Sequence, residues 1–185
     1  MNLKKLAKSV HEYPYVLLVM RHAKTEPFHA QGDFNRELTD KGLKQAKLVA
    51  KGLERMDLVP DQIDASSAVR TRQTCERMLK VFGDKPKVAW HKSLYEDGVQ
   101  SVFDMLAECK PKRHTLMVLG HEPTVSMACQ WLASPQSDPA TLDLLNLGLS
   151  PANVAIFGSG LPFNSWQLHQ AALLDVIGAK DCKDA

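Results

Sequence analysis

The stretch L17-L-V-M-R-H-A-K-T-E26 closes a run of five apolar residues that begins at Val16, and it places an arginine and a histidine directly behind that run. A short, continuous, β-rich apolar segment is what a strand buried on both faces requires, as in a parallel sheet covered by helices. Arg21 and His22 therefore stand at a strand's carboxyl end. A second segment repeats the pattern: Thr115 to Leu119 is again short and apolar and runs into Gly120, His121, Glu122 and Pro123.

Between and around these two segments, helical and strand patterns alternate. Thr39 is a suitable N-cap for a helix in which Leu43, Ala46, Ala50 and Leu53 recur at helical spacing before Pro60. Ile63 to Ala65 is a brief strand. Val69 to Phe82 is a helix with Thr74, Cys75, Met78, Leu79 and Phe82 on one stripe, ending at Gly83. Lys87 to Trp90 alternates weakly as a strand, and Val99 to Cys109 carries a helical stripe. Val125, Ala128, Cys129 and Leu132 form another, with Pro123 in the first turn. Val154 to Phe157 and Trp166 to Leu174, separated by Gly158, Gly160 and Pro162, read as two late strands or a hairpin, and Cys182 to Ala185 as a frayed tail. Trp131 and Trp166 are expected in the core. The expected fold class is α/β, layered, with a mostly parallel sheet, and its chemistry lies beyond the carboxyl ends of the strands.

With 185 residues, 44% of them hydrophobic, the chain suits a single domain, residues 1–185, with a core over about 15–174. Its 23 basic and 21 acidic residues are spread evenly and give a net charge of +2, which argues against a nucleic acid or membrane partner. Cys75, Cys109, Cys129 and Cys182 form no CxxC pair and read as free core thiols of a reducing compartment. No secretory leader or membrane span is legible, so a cytoplasmic location is expected.

Arg21, His22, Arg70 after the Ser66 turn, and His121 would form one cationic pocket, and such a pocket needs an anion. A phosphoryl group fits, because an arginine fork matches two of its oxygens at once and a helix starting at Glu122 or Pro123 would add N–H donors. The neighbouring arginines would repel a metal cation, so no zinc site is expected from His22 and His121. Ser66 lacks the GxSxG elbow of a hydrolase nucleophile. His11, His29, His91, His114 and His169 share no ligand-like spacing and read as surface or locally hydrogen-bonded residues.

The segments V19-M-R-H-A-K-T-E26, R36-E-L-T-D-K-G42, S66-S-A-V-R-T-R-Q-T74 and V118-L-G-H-E-P-T-V-S-M-A128 resemble, in order, the motifs of the histidine phosphatase superfamily, also called phosphoglycerate mutase-like, and most closely its SixA-like phosphohistidine phosphatases. The resemblance spans about Tyr15 to Leu174. It implies a three-layer sandwich and a metal-independent, cofactor-free phosphatase in which His22 is the nucleophile and becomes transiently phosphorylated. By the same resemblance Arg21, Arg70 and His121 hold the phosphoryl oxygens.

Such a set supplies an in-line nucleophile and stabilises charge on the equatorial oxygens. His22 then needs one unprotonated ring nitrogen, with the other donating to a backbone carbonyl or the phosphate loop. Arg36 either rims the pocket or pairs with an acid such as Asp40. Thr25 could add a hydroxyl, although a loop threonine without that role is the simpler reading.

Two positions depart from the family pattern. Ala23 replaces the glycine of the first motif. In L94-Y-E-D-G-V99, Glu96, or else Asp97, is the candidate general acid that ester-cleaving members carry; SixA-like proteins often lack one, and a phosphorylated imidazole needs little protonation to leave. The expected partner is a phosphohistidine protein or a small phosphorylated metabolite. A phosphomonoesterase using Glu96 and a non-catalytic phosphate-binding or interaction module are the alternatives.

Overall fold

Leu17, Leu18, Val19 and Met20 have no solvent exposure, because the strand they form lies inside a sheet with helices on both faces. The computed structural model describes residues 3–183. Its strands are β1 (Tyr15–Arg21), β2 (Gln62–Ser66), β3 (Lys87–His91), β4 (Thr115–Gly120), β5 (Val154–Ser159) and β6 (Ala172–Ile177), in sheet order β3-β2-β4-β1-β5-β6. The first four run parallel to one another, β5 runs antiparallel to β1, and β6, antiparallel to β5, returns to the direction of the first four, so the mostly parallel sheet has antiparallel pairing on one side.

The helices are α1 (Leu3–Val10), α2 (Asp40–Arg55), α3 (Val69–Phe82), α4 (Ser93–Glu96), α5 (Gln100–Glu108), α6 (Thr124–Leu132) and α7 (Pro139–Asn146). Because side chains alternate along a strand, Val16, Leu18 and Met20 pack with α1, α2 and α3, while Leu17 and Val19 pack with α4, α5, α6 and α7. The result is the expected three-layer α/β sandwich.

Register sets the position of the site. Arg21 lies opposite Gly120, Ala65 opposite Leu119, and Ser66 opposite His91. The residues that follow β1, β2 and β4 therefore emerge at one level of one edge. The chain entering β5 closes that edge from the other side: Arg21 N–H donates to Asn153 O (3.2 Å), and Ala152 N–H is shared between the carbonyls of Arg21 and His22.

Several expectations need correction. The late strand begins at Ala172 and not at Trp166; residues 163–165 form a 3-10 turn, and the Trp166 indole N–H closes the loop onto Leu161 O (2.8 Å). Trp131 is 43% exposed and stacks on Phe103, since it lies on the outer flank of α6. The helix expected to start at Glu122 or Pro123 starts at Thr124. Cys182 is not frayed: it is 1% exposed and sits on Gly52, where an added Cβ would fall 2.3 Å from its sulfur. Asp184 and Ala185 lie outside the described residues. α1 and α7 were not anticipated, although α7 carries clear start signals in the Asp138 cap and Pro139. All four cysteines are buried and free.

Candidate active site

His22 follows directly from β1. Its backbone N–H continues the ladder onto Gly120 O (3.0 Å), and its Nδ1 lies 2.8 Å from Ala23 O. A carbonyl only accepts, so Nδ1 carries the hydrogen and the neutral ring keeps its lone pair on Nε2. Burial, helped by the charges of Arg70, Arg21 and Arg36, pushes the His22 pKa down from 6.5 to about 4, against the opposing pull of the Ala23 carbonyl. The imidazole is neutral at pH 7.

Ala23 is fully buried, and its N–H donates to Thr74 Oγ1 (3.1 Å), whose hydroxyl donates to Arg70 O (2.7 Å). Among the described residues, the non-glycines with positive φ are Asp57, Ala152 and His169. Ala23 is thus outside the left-handed region, which explains why alanine is tolerated where the family motif has glycine. The next turn is fixed by Gly42, the first-turn glycine of α2: a Cβ there would meet Lys24 O at 2.1 Å, and Lys24 O accepts from the N–H and hydroxyl of Thr39.

Arg21 reaches under the loop before β5 and donates from Nη1 to Leu149 O (2.8 Å); its buried Nε–H has no protein acceptor. Burial lowers its pKa, and the Glu122 carboxylate opposes that effect. Glu122 Oε1 accepts from the Ser126 hydroxyl and from Leu149 N–H (2.9 Å). The backbone N–H and C=O of one residue, Leu149, therefore link the carboxylate of Glu122 to the guanidinium of Arg21.

Arg70, in the first turn of α3, is 4% exposed and donates from Nε to His121 Nδ1 (3.2 Å), from Nη1 to Asp33 O (2.7 Å) and from Nη2 to Asp33 Oδ2 (3.0 Å). His121 follows β4, with its ring 5.2 Å from that of His22. Burial and the adjacent Arg70 charge push its pKa down to about 3. Since Nδ1 accepts from arginine, the neutral ring carries its hydrogen on Nε2 and donates it to Ser66 Oγ (2.7 Å). This tautomer cannot take a proton from Ser66, so the Ser66–His121 pair is not a serine-hydrolase dyad.

Arg21, His22, Arg70 and His121 are thus gathered at one edge, as their strand-end positions require. Arg36 joins them at the rim, where it pairs with Asp33 (Nε to Oδ1, 2.8 Å) and not with Asp40, and donates to Thr25 Oγ1 (3.0 Å). Glu96 turns away: its carboxylate pairs with Lys92 at 2.9 Å on the exposed flank of α4. The neighbouring Tyr95 faces the site instead, with its ring 5.5 Å from His121 and its hydroxyl donating to Asp33 Oδ2 (3.0 Å). Tyr95, Asp33 and Glu122 were missed as site residues; of the three, only Glu122 had a sequence signal, its place beside His121. No group of three or more His, Cys, Asp or Glu among the described residues is placed to hold a metal ion. No described helix is long and apolar enough to cross a membrane.

Chemically, the edge offers a neutral imidazole with a free lone pair among guanidinium groups, which suits attack on a phosphorus flanked by anionic oxygens. The family model for the histidine phosphatase superfamily (branch 1) matches residues 17–98, a span that holds Arg21, His22, Arg36, Arg70 and Glu96. An uncharacterized protein of Mycobacterium tuberculosis is 28% identical over 138 residues, covering 74% of this chain and 85% of that protein.

Among solved structures, a protein assigned as the phosphohistidine phosphatase SixA of Nakamurella multipartitia is 25% identical, with a TM-score of 0.75 over 88% of this chain and 95% of that one. Its counterpart from Agrobacterium tumefaciens is 22% identical, with a TM-score of 0.71 over 89% and 98%. The protein histidine phosphatase SixA complexed with tungstate is 17% identical, with a TM-score of 0.68 over 86% and 97%.

Proposed function

We propose that the chain is a phosphatase of the histidine phosphatase superfamily, whose family model matches residues 17–98, and that it hydrolyses phosphohistidine on a protein, or a similarly activated N-phosphoryl group, through a phosphorylated His22. The observation that carries this reading is the His22 ring: neutral, fixed by its Nδ1–H on Ala23 O, with the Nε2 lone pair as nucleophile.

In the first step Nε2 of His22 forms a bond to phosphorus while the bond from phosphorus to the substrate nitrogen breaks, and the departing imidazole takes a proton from solvent. In the second step water attacks phosphorus, the P–Nε2 bond breaks, and inorganic phosphate leaves. Arg21, through its unpaired buried Nε–H, and Arg70 stabilise the equatorial oxygens. His121 holds the Arg70 fork by accepting its Nε–H, and an oxygen that displaced Ser66 from Nε2–H would receive that same donor. No metal or other cofactor enters the scheme.

The position of Glu96 favours this substrate class over a phosphate ester. An alkoxide leaving group needs a proton from a positioned acid, whereas imidazole leaves as a far weaker base, and Glu96 is committed to Lys92.

Rapid-quench labelling with a phosphohistidine peptide tests the reading. An acid-labile phosphoryl group should appear on His22, and His22→Ala should lose both label and turnover. Full turnover in His22→Ala would refute it, and peptide binding with neither label nor turnover would leave a binding module.

A further inference from the structure

Both outer nitrogens of Arg70 donate to a single residue, Asp33: one to its carbonyl and one to its carboxylate. Asp33 lies in a strap, residues 26–37, closed at its base by Glu26 N–H on Glu37 O (2.9 Å) and by the Thr25–Leu38 bridge. The strap is mostly exposed, and it turns at Gly32, whose φ of 97° and open surroundings suit glycine.

At the tip, the Asp33 carboxylate collects one bond each from Arg36, Arg70 and the Tyr95 hydroxyl. Burial pushes its pKa up, but the Tyr95 hydrogen bond and the two arginines outweigh that and hold it below the usual carboxylate range. It is an anion placed on the arginine that the reaction requires.

We propose that Asp33 is an intramolecular competitor of the phosphoryl group: it occupies Arg70 in the resting enzyme and must be displaced by the substrate's phosphoryl oxygens, so that it sets the affinity of the site for tetrahedral oxyanions. The proposal rests on the reading of Arg70 as a phosphoryl-binding residue. Two facts support displacement. The Asp33 side chain is 55% exposed, so the ion pair is only partly desolvated and weak enough to exchange. The carboxylate also keeps Arg36 and Tyr95 as partners, so the strap is not left without polar contacts when Arg70 turns to a phosphoryl group. A site that holds its arginine closed in this way binds weakly in proportion to the fraction of molecules that are open. Such weakening also speeds the release of inorganic phosphate.

The test is calorimetric binding of tungstate and of inorganic phosphate to the full chain, with His22 labelling followed in each variant as a separate readout. Asp33→Asn keeps the shape and removes the charge; tungstate should bind about fivefold tighter and KM should fall, while label still forms on His22. Tyr95→Phe loosens the carboxylate and should act in the same direction, by about twofold. Glu37→Gln removes a carboxylate from the same strap without touching Arg70, and should change affinity by less than about twofold.

Unchanged or weaker binding by Asp33→Asn overturns the proposal, as does a Glu37→Gln effect equal to it, which would mean a general field and not competition. Missing label on His22 in the wild type would instead count against the phosphatase mechanism and leaves the binding ratio to be judged by itself.

Discussion

Replacing Glu122 tests whether the backbone of Leu149 carries the orientation of Arg21. In Glu122→Ala, the Ser126 hydroxyl and Leu149 N–H both lose their charged acceptor. Bonds to charged groups are worth about 1.5–3 kcal/mol each. Leu149 N–H keeps Ser126 Oγ at 2.9 Å as a second acceptor, so the loss falls near the low end, about 1.5 kcal/mol. The Leu149 carbonyl, which receives Arg21 Nη1 at 2.8 Å, is then free to shift.

If that whole loss appears as misplacement of Arg21, kcat/KM falls about tenfold. Glu122→Gln retains the carbonyl acceptor and removes only the charge, so it should cost about threefold or less and rescue most of the alanine defect. Steady-state turnover of a phosphohistidine peptide is the assay, with circular dichroism to confirm the fold. Wild-type turnover by a folded Glu122→Ala protein would refute the reasoning. A Gln variant as poor as the Ala variant would show that Glu122 acts on Arg21 by charge and not by position.

Two other outcomes follow from the same geometry. The folded-state pKa values of His22 and His121, about 4 and about 3, lie below the ordinary value near 6.5, so between those limits the unfolded chain binds more protons and stability must fall on acidification. For His22 alone the ceiling is about 3 kcal/mol at 1.36 kcal/mol per unit; urea unfolding at pH 7 and pH 4.5 should show a loss that His22→Gln reduces, and an unchanged slope in that variant would exclude His22 as a source. Glu96→Gln breaks only an exposed pair with Lys92 and should leave turnover of a P–N substrate within about twofold, whereas a hundredfold drop would restore Glu96 as a general acid.

The boundaries of α3 and the cap of α2 were legible because their signals are local: an apolar stripe, a terminal glycine, a threonine oxygen that accepts Gly42 N–H. Trp166 and Cys182 were misplaced because their environments are made by distant residues, Leu161 O and the bare face of Gly52. Glu96 and Tyr95 show the limit most clearly. They are adjacent in a one-turn helix, and about 100° of rotation between neighbours sends one to Lys92 and the other over His121.

By itself the sequence determined that strands ending in R21-H22 and G120-H121 would bring cations and imidazoles to one edge of a layered sheet, because burial on both faces leaves their apolar runs no other place. Only the tertiary structure decided which nitrogen of each histidine holds its hydrogen, that Leu149 carries Glu122 to Arg21, and that Asp33 sits on Arg70. Those outcomes depend on contacts between residues 27 to 128 positions apart or on a carbonyl's position in space, and no local pattern encodes them.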